Sequence, residues 1–104
     1  MKVYRTDINT KSAEKMLTIE TEGLCTCVTQ LSKSCIALSS NEFIEIWDLR
    51  TETLKTTFGG HTDIIFCIKL LKPSASIFAS SSNDKTIRIW KANNRSCLKV
   101  IDTL

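Results

Sequence analysis

The chain is 104 residues long, with 42% apolar and 24% charged residues, three glycines and one proline. That composition excludes a disordered tail or a collagen-like repeat and leaves room for at most one modest domain. The formal charge is +3, but residues 1 to 52 carry six Lys/Arg against eight Asp/Glu, and residues 53 to 104 carry eight against three.

The opening "MKVYRTDINTK" has no apolar core of a secretory leader, and no window approaches the ~18 apolar residues of a membrane span. The five cysteines are Cys25, Cys27, Cys35, Cys67 and Cys97. An odd number without a leader is expected in a reducing compartment, which places the protein in the cytoplasm or nucleus, away from membranes. "KSAEKMLTIE" contains helix formers but closes in an alternating Met-Leu-Thr-Ile that suits a strand. Beyond it, short runs rich in Ile, Val, Thr, Phe and Leu predict strands over Leu24–Leu31, Cys35–Ser39, Phe43–Asp48 and Thr53–Phe58. A second set follows over Ile64–Leu71, Ser76–Ser81, Thr86–Lys91 and Ser96–Ile101. No sustained 3.6-residue apolar period exists, so the expected class is all-β.

The second set repeats the first. "NEFIEIWDLRTETLKTTF" (Asn41 to Phe58) lies over "DKTIRIWKANNRSCLKVI" (Asp84 to Ile101) at an offset of 43 residues, with Trp47 over Trp90. Cys27 to Ser40 lies over Cys67 to Asn83 when three residues are inserted near Lys72-Pro73-Ser74. An incomplete third copy, Val3 to Glu20, precedes them without its tryptophan. Self-similarity at this period signals a repeat architecture.

Trp47-Asp48, Gly60-His61 and "FASSSNDKTIRIWK" (Phe78 to Lys91) resemble the WD-repeat β-propeller family. The resemblance implies four-stranded antiparallel blades in an incomplete propeller: a partial blade over 1–23, a degenerate blade over 24–59 and a well-matched blade over 60–104. It also implies a structural hydrogen-bond network of His61, Ser80, Asp84 and Trp90. Ser80, His61 and Asp84 would alternatively form a hydrolase triad, but Ser80 sits mid-strand in an apolar run and no Gly-x-Ser-x-Gly elbow exists. In the earlier unit the positions over Ser80 and Asp84 read as Ala37 and Asn41, and Glu20-Thr21-Glu22-Gly23 replaces Gly-His. That unit is expected to be the less stable one.

Function follows from the same resemblance. The family implies a non-catalytic scaffold that binds proteins or peptides, here at a face formed by Leu24, Thr26, Ser40, Ile64, Phe66 and Asn83. Nucleic-acid binding is the alternative, carried by Lys85, Arg88, Lys91, Arg95 and Lys99, although these cations recur singly and no aromatic interleaves them. No cofactor or metal is expected. Cys25-Thr26-Cys27 has the spacing of one strand face rather than a zinc knuckle, Cys67 aligns with Cys27 as a small core residue, and Gly59-Gly60 reads as a turn. A closed propeller needs at least four blades, so further blades or oligomerisation are expected to cover the exposed sheet faces, as in a fragment or short isoform of a longer propeller.

Overall fold

The computed structural model describes the backbone of residues 4–10 and 15–103, and side chains over 19–103. Among these the chain forms ten strands and one 3₁₀ turn. β1 (Tyr4–Thr10) and β2 (Lys15–Thr21) make a hairpin. β3 (Val28–Gln30), β4 (Cys35–Ser40), β5 (Phe43–Asp48) and β6 (Thr53–Phe58) form one antiparallel sheet in chain order. β7 (Ile65–Lys72), β8 (Ile77–Ser82), β9 (Thr86–Lys91) and β10 (Ser96–Asp102) form a second, with the turn Pro73–Ala75 between β7 and β8. The two sheets are four-stranded blades, as the repeat predicts.

β3 is much shorter than the expected Leu24–Leu31 strand. Side-chain oxygens take the place of ladder carbonyls before it. Ser39 Oγ accepts the N–H groups of Thr26 and Cys27 at 2.9 and 3.1 Å, and Asn41 Oδ1 accepts that of Leu24 at 2.9 Å. Ser40 Oγ accepts from Gly23 N–H at 3.0 Å. These bonds satisfy backbone donors that would otherwise need a strand partner.

The register of the hairpins corrects the residue alignment. In the first blade Leu38 pairs Glu45 and Ile36 pairs Trp47; in the second Ser80 pairs Arg88 and Phe78 pairs Trp90. The residue in Ser80's place is therefore Leu38, not Ala37. The β8–β9 turn holds one more residue than β4–β5, with Lys85 in the left-handed region at φ 68°, as three-residue hairpin loops require. A gapless alignment runs across that extra residue and shifts every β4 position by one, which moves each side chain to the opposite face.

β4 is buried on both faces. Ile36 and Leu38 join Ile19 of the hairpin, with Val28, Trp47 and Leu49 around them. Ala37, Ile44 and Ile46 turn the other way and pack with Phe58 against Ile65, Ile68, Phe78 and Trp90 of the second blade. Phe58 stacks on Phe78 with ring centroids 5.8 Å apart and tilts against Trp90 at 5.4 Å. Such aromatic pairs add about 0.5–1.5 kcal/mol each beyond the area they bury. This inter-blade core is the floor on which the polar site rests.

Candidate functional site

The loop after β6 delivers His61 into the second blade. Gly60 makes the approach feasible: its φ is +156°, and an added Cβ would sit 3.0 Å from Arg88 Nη1 and 3.1 Å from the Trp90 ring. His61 is 4% exposed, with Nε2 2.7 Å from Ser80 Oγ and Nδ1 2.8 Å from Asp84 Oδ2. Trp90 Nε1–H donates to Ser80 Oγ at 2.8 Å. The donors then run in one direction: indole to Ser80, Ser80 O–H to His61 Nε2, His61 Nδ1–H to Asp84. The four residues named from the sequence are thus brought together in one chain of hydrogen bonds.

Two participants were not singled out in the sequence. Thr86 Oγ1 donates to Asp84 Oδ1 at 2.6 Å and lies 3.2 Å from His61 Nδ1. Ser82 Oγ accepts from Asp84 N–H at 3.1 Å and reaches the Asp63 and Ile64 carbonyls at 3.0 and 2.9 Å. The Asp-x-Thr spacing of Asp84 and Thr86, a carboxylate with a hydroxyl two residues on, is the signal that points to the first of these. Burial raises the Asp84 pKa, yet the hydrogen bonds from Thr86 Oγ1, His61 and the Thr62 and Thr86 N–H groups outweigh it. Together they hold the carboxyl well below its ordinary value.

The connectivity Asp84–His61–Ser80 is that of a hydrolase triad, but the surroundings differ. Ser80 is 1% exposed, lies at the edge of the Trp90 ring and has its oxygen engaged by the indole N–H. A catalytic hydroxyl needs room for a carbonyl carbon on one side and oxyanion donors beyond it. Ser80 has neither approach open.

The first blade is built differently at these positions. Leu38 fills the place of Ser80, and Trp47 Nε1 donates instead to Glu45 Oε1 at 2.8 Å, a partner two residues away on its own strand. Asp48, beside it, takes the Arg50 N–H at 2.8 Å and caps its own turn; that bond holds its carboxyl below the usual value.

The residues expected on a partner face divide. Leu24 O accepts from Asn41 N–H, Asn41 O from Ile65 N–H, and Ile64 O from Asn83 N–H, all at 2.9 to 3.0 Å, which ties the ends of both blades into one rim. On that rim Leu24, Ile64 and Phe66 are exposed by 40%, 36% and 55%, and Asn83 is exposed with its Nδ2 on Asp63 Oδ2 at 2.8 Å. Phe66 projects because the pairing of β7 with β8 bulges between Ile65 and Cys67; two successive side chains turn outward before Ile68 returns to the core. Ser40 departs from expectation: it is 5% exposed and its Oγ holds Gly23 N–H, so it faces inward. Thr26 bridges the blades, donating to Ile65 O and meeting Ser39 Oγ at 3.0 Å.

The same bulge corrects the reading of Cys67, which is exposed rather than in the core, while Cys27 is half-buried. Cys25 and Cys27 precede β3 and do not share a strand face. The cations of the C-terminal half do not make one stripe. Lys85 stands at one end of β9 and Lys91 at the other, and Arg88 turns inward beside Gly60 with its Nε buried and unpartnered. Among the described residues, no group of three or more His, Cys, Asp or Glu is placed to hold a metal, and no helix is long and apolar enough to cross a membrane.

Comparison with known proteins gives the fold its context. The family model "WD domain, G-beta repeat" matches residues 52–91. Autophagy-related protein 16 of Arabidopsis thaliana is 30% identical over 74 residues, 71% of this chain and 14% of that protein. Nuclear distribution protein nudF of Aspergillus niger is 35% identical over 66 residues, 62% of this chain and 15% of the relative. Pre-mRNA-processing factor 19 of Mus musculus is 36% identical over 58 residues, 56% and 11% respectively. The chain therefore spans a small part of the length of the curated relatives it matches. The crystal structure of the WD40 beta propeller domain of Doa1 superposes with a TM-score of 0.72 at 28% identity, over 88% of this chain and 31% of that one.

Proposed function

This chain belongs to the WD-repeat β-propeller family, and on that premise we propose that it is a non-catalytic interaction module that helps assemble a multiprotein complex. Its partner is a protein or peptide segment docked on the rim formed by Leu24, Ile64, Phe66 and Asn83. The observation that carries the reading is Phe66. A bulge sets an aromatic ring 55% exposed among two exposed aliphatic side chains and a polar amide, the composition of an interaction anchor. The His61–Ser80–Asp84–Trp90 chain has a supporting role in this account: it fixes the loop and turn that end at Ile64 and Asn83.

The relatives' names refer to autophagy, nuclear distribution and pre-mRNA processing, so what they share with this chain is the module and not one pathway. The test is selection of binding peptides against the chain, followed by titration of Phe66→Ala. The expected result is a loss of affinity of at least tenfold, about 1.4 kcal/mol or more, with unfolding unchanged. Peptides that bind Phe66→Ala as tightly as the parent would exclude the rim as the site.

A further inference from the structure

Two cysteines, Cys27 just before β3 and Cys67 in β7, meet where the two blades pack side by side. The carbonyl oxygen of Ile68 lies 3.5 Å from Cys27 Sγ and 3.9 Å from Cys67 Sγ, and the Ile68 N–H donates to Cys27 Sγ at 3.1 Å. Both sulfurs thus sit on one peptide carbonyl. Cys25, two residues from Cys27 in sequence, turns its thiol to the Cys27 carbonyl at 3.6 Å instead. All three are free thiols. Cys67 is exposed because the β7 bulge turns it outward, and Cys27 is half-buried behind it.

We propose that Cys27 and Cys67 form an oxidisable dithiol that a hydroperoxide closes into a disulfide joining the two blades. The exposed sulfur reacts first. Cys67, as thiolate, attacks the peroxide: an S–O bond forms, the O–O bond breaks, and the leaving hydroxide takes a proton to become water. Cys27 then attacks the Cys67 sulfenic acid; the S–S bond forms, the S–O bond breaks, and a second water leaves. Two thiols lose two electrons, and one hydrogen peroxide is reduced to two waters. The bridge needs S–S near ~2.05 Å and Cβ atoms about 3.5–4.5 Å apart; the backbone sets the second distance, and rotation about χ1 brings together the two sulfurs that already share one carbonyl.

Burial raises the Cys27 pKa, the Ile68 hydrogen bond opposes that, and the neighbouring Cys67 and Cys25 sulfurs add to it. A thiol held protonated in this way is the poorer first nucleophile, which leaves the attack on the peroxide to the exposed Cys67. The bridge would fasten β7 to the segment entering β3, beside the Thr26-to-Ile65 hydrogen bond that already crosses there. This inference is independent of which partner the rim binds.

The test is treatment of the reduced full chain with equimolar hydrogen peroxide, followed by intact mass, a non-reducing protease digest and urea unfolding. The expected product has lost two hydrogens, yields a Cys27–Cys67 linked peptide that dithiothreitol separates, and unfolds at higher urea than the reduced chain. Cys25→Ser is expected to keep the link, and Cys67→Ser to lose it with its sheet signal in circular dichroism retained. A Cys25–Cys27 link, a disulfide-linked dimer through Cys97, or Cys67 oxidised further without a cross-link would each overturn the proposal. The wild-type peptide map decides among these even if a variant folds poorly.

Discussion

Asp84 shows how one carboxylate stabilises a turn through its charge. It accepts from Thr86 Oγ1, His61 Nδ1 and two backbone N–H groups, and its pKa lies below the unfolded value. A depressed folded pKa contributes stability that is fully present above the unfolded pKa, near ~4, and is lost as pH falls from there toward the folded value. Asp84→Asn is therefore expected to be less stable at pH 7 by about 1–3 kcal/mol, because partners of a buried charge are left poorly matched. The deficit should shrink in urea titrations below about pH 4, as the unfolded parent takes up a proton that the folded carboxylate resists; a deficit constant with pH would mean that the ionised carboxylate is not the stabilising species. Gly23 is the other residue where one atom decides. An added Cβ would stand 2.5 Å from Ser40 Oγ, 2.7 Å from Ser40 C and 2.8 Å from Asn41 N, two of which are backbone atoms that cannot step aside. Gly23→Ala is expected to lose about 1–3 kcal/mol by overpacking, read from the urea midpoint.

At the scale of strands, the two blades solve one problem in different ways. The second closes its hairpin with a hydrogen-bonded chain through Ser80, and the first puts Leu38 in that place and packs it at 0% exposure against Ile19 and Ile36. Leu38→Ala is expected to cost about 2–5 kcal/mol in unfolding measurements, since the strand is enclosed on both faces and cannot collapse far into the space. Strand identity and order were legible in the sequence because alternation and turn residues are local signals, and β5, β6 and β9 have the bounds the repeat gives. Three features were not. The bulge at Phe66 flips Cys67 outward, the extra turn residue at Lys85 shifts β4 by one position, and Ser39, Ser40 and Asn41 replace the ladder before β3. The first and third depend on pairings between segments, and the second on the length of one turn, none of which periodicity within a single strand encodes. The four-residue network was readable because its members recur at fixed places in a familiar repeat; Thr86 and Ser82 escaped because hydroxyls beside a turn are too common to stand out.

On the scale of the molecule, the second blade has a buried face and a half-buried one. Ile77, Ala79, Ile87 and Ile89 occupy the half-buried face, at the register positions where Cys35, Ala37, Ile44 and Ile46 of the first blade meet their neighbour. Three of these four matched pairs are apolar residues of the same type, so the second blade carries the same kind of face that the first blade covers, and β10 adds exposed Leu98, Val100 and Ile101 along the outer edge. The blade presenting that surface is held together by the inter-blade core and the polar chain above it, and the proposed partner rim depends on both. The account stands on Ser80 being structural, and equilibrium urea unfolding of Ser80→Ala at pH 7 tests this most directly. Removing the hydroxyl leaves the Trp90 indole N–H and His61 Nε2 buried without their partner, so a loss of about 1–3 kcal/mol at unchanged m-value is predicted. A variant as stable as the parent would contradict the account and return Ser80, His61 and Asp84 to the status of a catalytic candidate.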